Sequence, residues 1–155
     1  MTNITGAETP IEKYAGILAH PTSFPGPYGI GDLGEGAYRF IDFLKQSGLN
    51  LWQVLPLGHT GFGDSPYQPF SSFAGQPLII SLDFLKQVHL LYDSDFSDMP
   101  DWDPVQINYG ALIEFKTRLL HIAYERFLDK EVPDDFTGNA ELMERYETFC
   151  ANTFW

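Results

Sequence analysis

The chain has 155 residues, a formal net charge of −12 and a hydrophobic fraction of 44%. That length suits one domain, or part of one, and the apolar content is enough for a buried core. The negative charge argues against nucleic acid and anionic membrane surfaces as partners, because both attract Lys and Arg. A neutral, polyhydroxylated ligand is compatible with it.

The cysteine count and the N-terminus bear on the cellular compartment. Cys150 is the single cysteine, so the chain forms no internal disulfide and does not require an oxidising environment. Residues 1–10 lack the charged and apolar regions of a signal peptide. No apolar run approaches the roughly 20 residues that a membrane span needs. The sequence therefore predicts a soluble cytoplasmic protein.

Two apolar runs predict the first strands, after a flexible lead-in at residues 1–13. Residues 14–19 form a short apolar run that ends at His20, where the following proline disfavours further regular structure. Residues 51–57 are almost continuously apolar, as in a parallel strand covered on both faces.

A helix is predicted between these strands. Asp32 is the expected N-cap, Glu35 stands at capping-box spacing, and Gly48 supplies the stop. Its apolar face is formed by four residues at helical spacing: Ala37, Phe40, Ile41 and Leu44. The order strand, helix, strand indicates one βα unit that leads into a second strand.

Two loops rich in Pro, Gly and aromatic residues follow the strands, at residues 20–31 and 58–77. In βα units the ligand-binding loops lie at the carboxyl ends of the strands. Flat rings and short polar groups suit a sugar, which has an apolar C–H face and a rim of hydroxyls. The alternative for the second loop is an Ω-loop whose rings pack beneath it. Its position after a strand favours ligand binding.

The later part of the chain reads as helical. Ser81 is expected to begin a short helix that runs to about Val88, and Asn108 to cap a long helix that runs to about Lys130. Between them, residues 92–103 are acidic and lack the full spacing of a calcium loop, so they are predicted to be a solvated linker. A last helix is expected from about residue 139, and the aromatic end of the chain indicates a cut within an element.

Few residues carry recognisable catalytic chemistry. The histidines lack metal-helix spacing, and no nucleophile elbow, P-loop or dinucleotide fingerprint is present. His20 faces the predicted ligand side and is expected to hydrogen-bond a substrate. Asp64, a carboxylate within the aromatic loop, could bind sugar hydroxyls or brace its own loop in an Asx-turn. A glycosidase needs two carboxylates and the chain offers at most one candidate, so no catalytic residue is predicted here. The spacing of the histidines and of the acidic segment predicts no metal site.

Several long motifs together resemble the 4-α-glucanotransferases, also called amylomaltases or disproportionating enzymes (glycoside hydrolase family 77). They are GILAHPTSFPGPYGIGDLG at 16–34, LWQVLPL at 51–57, GFGDSPYQPFSSFAG at 61–75 and NYG at 108–110. The resemblance runs from about residue 13 to the end of the chain. It implies an α/β fold that is the N-terminal part of a (β/α)8 TIM barrel, namely the first two β/α units plus an inserted helical subdomain.

The resemblance also implies an activity and a domain division. Members transfer segments of α-1,4-glucan to a glucose or maltooligosaccharide acceptor by a retaining double displacement, without a cofactor. The implied division is barrel units at 14–91, which contain the glucan-binding loop, and an inserted helical subdomain at 92–155 that is truncated at its C-terminal end. The family's catalytic carboxylates lie on later strands and have no counterparts here, so the isolated chain is expected to be inactive.

Substrate-contacting residues follow from the resemblance motif by motif. Asp64, Ser65 and Tyr67 resemble residues that contact glucan beside the cleavage site, and Tyr109 resembles an aromatic of a secondary glucan-binding region. The sequence departs from the common pattern at three positions, where Phe62 replaces Tyr, His59 replaces Pro and Gln76 replaces Asn. Phe62 would lack the hydroxyl with which Tyr contacts glucan, and His59 and Gln76 would alter the rigidity of the loop.

Two alternatives remain open from the sequence. One is a non-catalytic glucan-binding module that is complete as it stands. The other is a protein-interaction domain that uses the aromatic loop as its interface. The sequence does not indicate an oligomeric state.

Overall fold

The computed structural model describes residues 13–59, 65, 67, 68, 74–129, 144, 148 and 151. Its strands and α-helices are β1 (Gly16–Leu18), α1 (Glu35–Gln46), β2 (Leu51–Gln53), α2 (Leu82–Gln87) and α3 (Tyr109–Leu128). Short 3-10 turns lie at Pro21–Ser23, Pro77–Ile79 and Asp93–Phe96. Of the predicted last helix the structure describes only residues 144, 148 and 151, which are helical. Asp64, Phe62 and Cys150 lie outside the described residues.

The two strands pair in parallel, as the predicted βα unit requires. Gly16 pairs with Leu51 and Leu18 with Gln53, so α1 connects neighbouring strands through a crossover. Both strands are shorter than predicted, because the chain turns into loops soon after Leu18 and Gln53. One more ladder bond, from the Ala19 N–H to the Gln53 carbonyl at 3.0 Å, marks the end of the pairing.

The cover on both faces that was predicted for the second strand is absent among the described residues, and the first strand is exposed as well. Leu18 is 56% exposed and Leu51 is 51% exposed. Side chains alternate across a strand, and the middle residues on the opposite face, Ile17 and Trp52, are only partly buried. The apolar composition of the strands therefore exceeds what the described residues bury.

The predicted capping box at the start of α1 is also wrong. The N-cap is Gly34, which has no side chain, and Glu35 is the first helical residue. Asp32 instead accepts the N–H of Gly34 at 2.8 Å, within the approach to the helix. A Cβ on Gly34 would lie 2.4 Å from the Ser81 hydroxyl oxygen. Close packing against α2 therefore places a glycine where local spacing predicts a capping side chain.

The predicted end of α1 is confirmed. Gly48 has a φ of +70°, which favours glycine. Its N–H donates to the Lys45 carbonyl at 3.1 Å, and the Leu49 N–H donates to the Leu44 carbonyl at 2.9 Å. This pair of bonds is the Schellman motif, which satisfies carbonyls that the helix leaves free.

The caps of the two later helices match their predictions. The Ser81 hydroxyl accepts the N–H of Phe84 at 3.4 Å, at the start of α2. The Asn108 side-chain oxygen accepts the N–H of Ala111 at 3.2 Å, at the start of α3. The inner face of α3 is apolar as expected, with Leu112, Phe115 and Leu119 buried.

The main core joins the loop after β1 to α2 and α3. Its buried members are Tyr28, Leu82, Leu90, Leu91, Phe115, Leu119 and Ala123. These residues come from both sides of the domain division expected at residue 91, which stays a prediction. No described helix is long and apolar enough to cross a membrane.

The expectation of a solvated linker at 92–103 is wrong in two places. The ring of Trp102 packs edge-on to Phe115, with 5.5 Å between centroids. Asp95 forms an ion pair with Arg126 at 2.6 Å, and its side chain is only 10% exposed. The segment is therefore held against α3 by one ring and one buried carboxylate.

Candidate functional site

A cavity of about 170 Å³ lies at the carboxyl ends of β1 and β2. The loop after β1 supplies one wall and the segment after β2 supplies another, while the 77–79 turn and the start of α3 complete it. Its lining consists of His20, Thr22, Ser23, Ile30, Leu55, Pro56, Gly58, Gln76, Leu78 and Tyr109. This position is the ligand side that the order of strands and loops predicts.

His20 presents a defined donor at this cavity. Its Nδ1 lies 2.7 Å from the Thr22 hydroxyl oxygen and accepts the Thr22 backbone N–H at 3.4 Å. Because a backbone N–H can only donate, Nδ1 is the acceptor and the neutral ring carries its proton on Nε2. Within the described part of the chain Nε2 is buried without a hydrogen-bond partner. A buried donor without an acceptor costs about 1–3 kcal/mol, which a ligand hydroxyl would recover.

The ends of the aromatic loop meet at the rim of the same cavity. The Gln76 N–H donates to the Leu57 carbonyl at 2.8 Å, and Gly58 and Gly75 form an antiparallel bridge. Gln76 is buried, and its side-chain oxygen accepts the Leu78 N–H at 3.5 Å. The loop therefore leaves and re-enters the fold beside His20.

Two predicted site residues within the loop are described, Ser65 and Tyr67. The Ser65 hydroxyl accepts the Tyr67 N–H at 3.3 Å, so it braces a turn of its own loop. The Tyr67 ring is 68% exposed. Neither residue lines the cavity. Asp64 lies outside the described residues, so its two predicted roles stay open.

The structure thus brings together two of the five predicted site residues, His20 and Tyr109. They lie 89 positions apart in sequence and meet because the start of α3 packs beside the loop after β1. A larger cleft of about 720 Å³ lies between residues 22–31 and 99–107, and it contains none of the five. The smaller cavity is therefore the better candidate.

Sequence analysis overlooked a buried cation beside this site. Lys116 on α3 is fully buried, and its Nζ donates to the carbonyls of Leu78 and Ile80 at 2.6 and 3.0 Å. Burial lowers the pKa of Lys116 to about 8, and the carboxylates of Asp32 and Asp83 partly oppose that shift. Helical spacing could have found this residue, because it follows Leu112 by four positions and so lies within the apolar stripe.

The two carboxylates near Lys116 have different surroundings. Asp83 accepts the hydroxyl of Tyr28 at 2.5 Å, and burial together with this bond raises the pKa of Tyr28. Burial also raises the pKa of Asp32, against the lowering effect of its bond from the Gly34 N–H.

Comparison with known proteins gives a consistent family. A family profile described as 4-alpha-glucanotransferase (glycoside hydrolase family 77) matches residues 19–155. The 4-alpha-glucanotransferase of Thermus thermophilus is 45% identical over 130 residues, which cover 84% of this chain and 25% of that protein. The chloroplastic/amyloplastic enzyme of Solanum tuberosum is 43% identical over 142 residues, which cover 88% of this chain and 23% of that protein.

A solved structure agrees with these sequence matches. The amylomaltase from Streptococcus agalactiae, in complex with acarbose, superposes with a TM-score of 0.74 at 36% identity, over 87% of this chain and 27% of that one. The chain spans about a quarter of the length of the relatives that it matches. Its α/β fold is that of the matching part of amylomaltase. The chain belongs to the 4-alpha-glucanotransferase family, glycoside hydrolase family 77.

Proposed function

We propose that this chain supplies part of the glucan-binding surface of a 4-alpha-glucanotransferase. The enzyme would transfer segments of α-1,4-glucan to a glucose or maltooligosaccharide acceptor by a retaining double displacement. The observation that carries the proposal is the cavity at the strand ends, which is lined by His20, whose Nε2 has no partner among the described residues. The family to which the chain belongs consists of 4-alpha-glucanotransferases.

The chemistry of the cavity suits a sugar ring. Ile30, Leu55 and Leu78 supply apolar surface for a C–H face. His20 and Gln76 bring polar side chains to the same space, where hydroxyl groups can exchange hydrogen bonds with them. The amylomaltase from Streptococcus agalactiae, which has a similar fold, is in complex with acarbose.

Loop residues would extend this surface beyond the cavity. The exposed ring of Tyr67 offers a flat face to a neighbouring sugar unit, and Ser65 holds that turn of the loop. Asp64 stays a predicted contact of the same loop. Tyr109 would contribute the aromatic wall on the α3 side.

Bond cleavage would depend on residues outside this chain. Retaining glycoside chemistry uses a nucleophilic carboxylate and an acid/base carboxylate about 5 Å apart. We assign both to the part of the relatives that this chain does not span, and we expect the isolated chain to be inactive. No cofactor enters this scheme, and the cytoplasm stays the predicted compartment.

A chimera tests the proposal. Residues 19–155 would replace the matching quarter of the Thermus thermophilus relative, and the product would be incubated with maltotriose. We expect glucose together with maltodextrins longer than maltotriose, as the unmodified relative would give. Glucose and maltose without longer products would indicate a hydrolase. A folded chimera that binds maltooligosaccharide without turning it over would favour a non-catalytic binding module.

A further inference from the structure

Lys116 occupies a position where an apolar side chain would be expected. It lies on the inner face of α3 between Leu112 and Leu119, and all three side chains are fully buried. A charged amine in such a place carries a large desolvation cost. The contact that offsets this cost is a pair of hydrogen bonds to the backbone carbonyls of Leu78 and Ile80.

Those carbonyls belong to the 77–79 turn and the residue after it. Short turns leave carbonyl groups without partners inside the turn, and such groups are costly when buried. Leu78 is buried, and the Leu78 carbonyl lies 2.6 Å from Nζ. The Ile79 carbonyl accepts the Leu33 N–H at 2.9 Å, on the side of α1. The turn is therefore hydrogen-bonded both to α3 and to the segment that leads into α1.

The same turn begins at the residue that closes the aromatic loop. Gln76 is its N-cap, lines the cavity with His20, and donates its N–H to the Leu57 carbonyl. Three hydrogen bonds thus link α3 to the strand-end segment. The Lys116 ammonium donates to the Leu78 carbonyl, the Leu78 N–H donates to the Gln76 side chain, and the Gln76 N–H donates to the Leu57 carbonyl.

We propose that Lys116 is a positioning residue of the glucan site, which sets the wall formed by Gln76 and the returning end of the aromatic loop. This inference rests on the proposed function. Lys116 does not line the cavity, so it acts on the glucan through the turn. Two carboxylates act on its charge, Asp32 from the approach to α1 and Asp83 from α2, and Asp83 also accepts the hydroxyl of Tyr28 from the loop after β1.

The test compares two core substitutions in the chimera. Lys116→Met keeps most of the buried stem and removes the donors, while Leu119→Ala creates a cavity one turn away and leaves the 77–79 turn untouched. We expect Lys116→Met to lower kcat/KM for maltotriose at least about tenfold, mainly through KM, because small misplacements of a site are costly. Leu119→Ala should lower the melting temperature with kcat/KM of the folded enzyme unchanged.

Equal kcat/KM for Lys116→Met and the unsubstituted chimera would overturn the inference, and so would equal losses in both variants. An inactive but folded unsubstituted chimera would instead count against the proposed function. In that case amide hydrogen exchange still decides the role of Lys116. We expect the Gln76 and Leu33 amides to exchange at least about tenfold faster in Lys116→Met and to be unchanged in Leu119→Ala. Unchanged exchange in both would overturn the inference.

Discussion

Gln76 and Leu57 are joined by a backbone hydrogen bond of 2.8 Å, which closes the base of the aromatic loop. Leu57 precedes and Gln76 follows the family motif at residues 61–75, and the bridge between Gly58 and Gly75 reinforces the closure. The two ends of the loop are therefore fixed to each other, and they lie beside His20 and the cavity. The position of binding residues on such a loop depends on where the scaffold holds its two ends.

The pH dependence of stability should report the burial of Lys116. Its pKa is about 8 in the folded protein, below its ordinary 10.5, so between these values the unfolded chain holds a proton that the folded chain has lost. The free energy of unfolding therefore rises with pH across this window, by on the order of 3 kcal/mol for the whole difference between the two pKa values. Urea unfolding of the chimera at pH 7.5 and 10 measures this rise.

Lys116→Met should flatten that rise, because Met does not titrate. Lys45→Met on the exposed end of α1 is the matched control and should keep it. A rise of the same size in Lys116→Met would assign the effect to other groups.

The Asp95–Arg126 pair should contribute more stability than the nearby Asp98–Arg118 pair. Asp95 is largely buried, and it also accepts the Tyr92 N–H at 2.8 Å. Asp98 is 62% exposed in its pair. We expect Asp95→Asn to lower the free energy of unfolding by about 2 kcal/mol and Asp98→Asn by less than about 1 kcal/mol. Denaturant unfolding of the two variants tests the difference, and equal losses would contradict it.

Acid should weaken the same pair. The hydrogen bond from Arg126 holds the pKa of Asp95 below its ordinary value. The stabilisation is therefore complete above the ordinary pKa of about 4 and is lost as pH falls through the lower folded value. The stability difference between the unsubstituted chain and Asp95→Asn should shrink as the pH falls from 6 to 3. A difference that is constant over this range would exclude the charge as its source.

Two glycines with positive φ should differ sharply in their tolerance of alanine. Gly29 has a φ of +76°, and a Cβ there would lie 2.6 Å from the indole ring of Trp102. Gly48 has a φ of +70° and open space around it. We expect Gly48→Ala to cost about 1 kcal/mol through backbone strain, and Gly29→Ala about 3 kcal/mol because it also displaces the ring. Thermal unfolding with tryptophan fluorescence as the probe would show this order; the reverse order would contradict the packing described.

The isolated chain should open at its sheet well before its helical core. β1 and β2 form a two-stranded sheet with exposed leucines at Leu18 and Leu51, and such a sheet is marginal alone in water. In contrast, Leu112 and Leu119 on α3 are fully buried. Hydrogen exchange of the 155-residue chain should therefore be fast at the Ala19 amide and slow in the middle of α3. A single cooperative opening that protects both equally would show that the sheet is stable alone.

Local signals in the sequence predicted the order of the strands and α-helices and several helix boundaries. The stop at Gly48 and the caps at Ser81 and Asn108 depend on nearest neighbours in the chain, and all three are confirmed. The cap at Asp32 failed because the packing of Gly34 against Ser81 is a contact between distant segments. Spacing rules contain no information about such contacts.

The candidate site shows the same limit. His20 was predicted from its place after a strand, and Tyr109 from a family motif, but their meeting depends on where α3 packs. The position of Lys116 within an apolar stripe was visible in the sequence. Its partners were not, because the two carbonyls that it binds lie more than 30 positions earlier in the chain.

The most direct measurement uses two substitutions of His20 in the chimera. Gln can place an amide N–H near the position of Nε2, while Asn mimics only Nδ1, which Thr22 already contacts. If Nε2 donates to a glucan hydroxyl, His20→Gln should keep most of the kcat/KM for maltotriose, and His20→Asn should lose about tenfold. Equal activity in His20→Asn and the unsubstituted chimera would contradict the assignment of this cavity to the glucan.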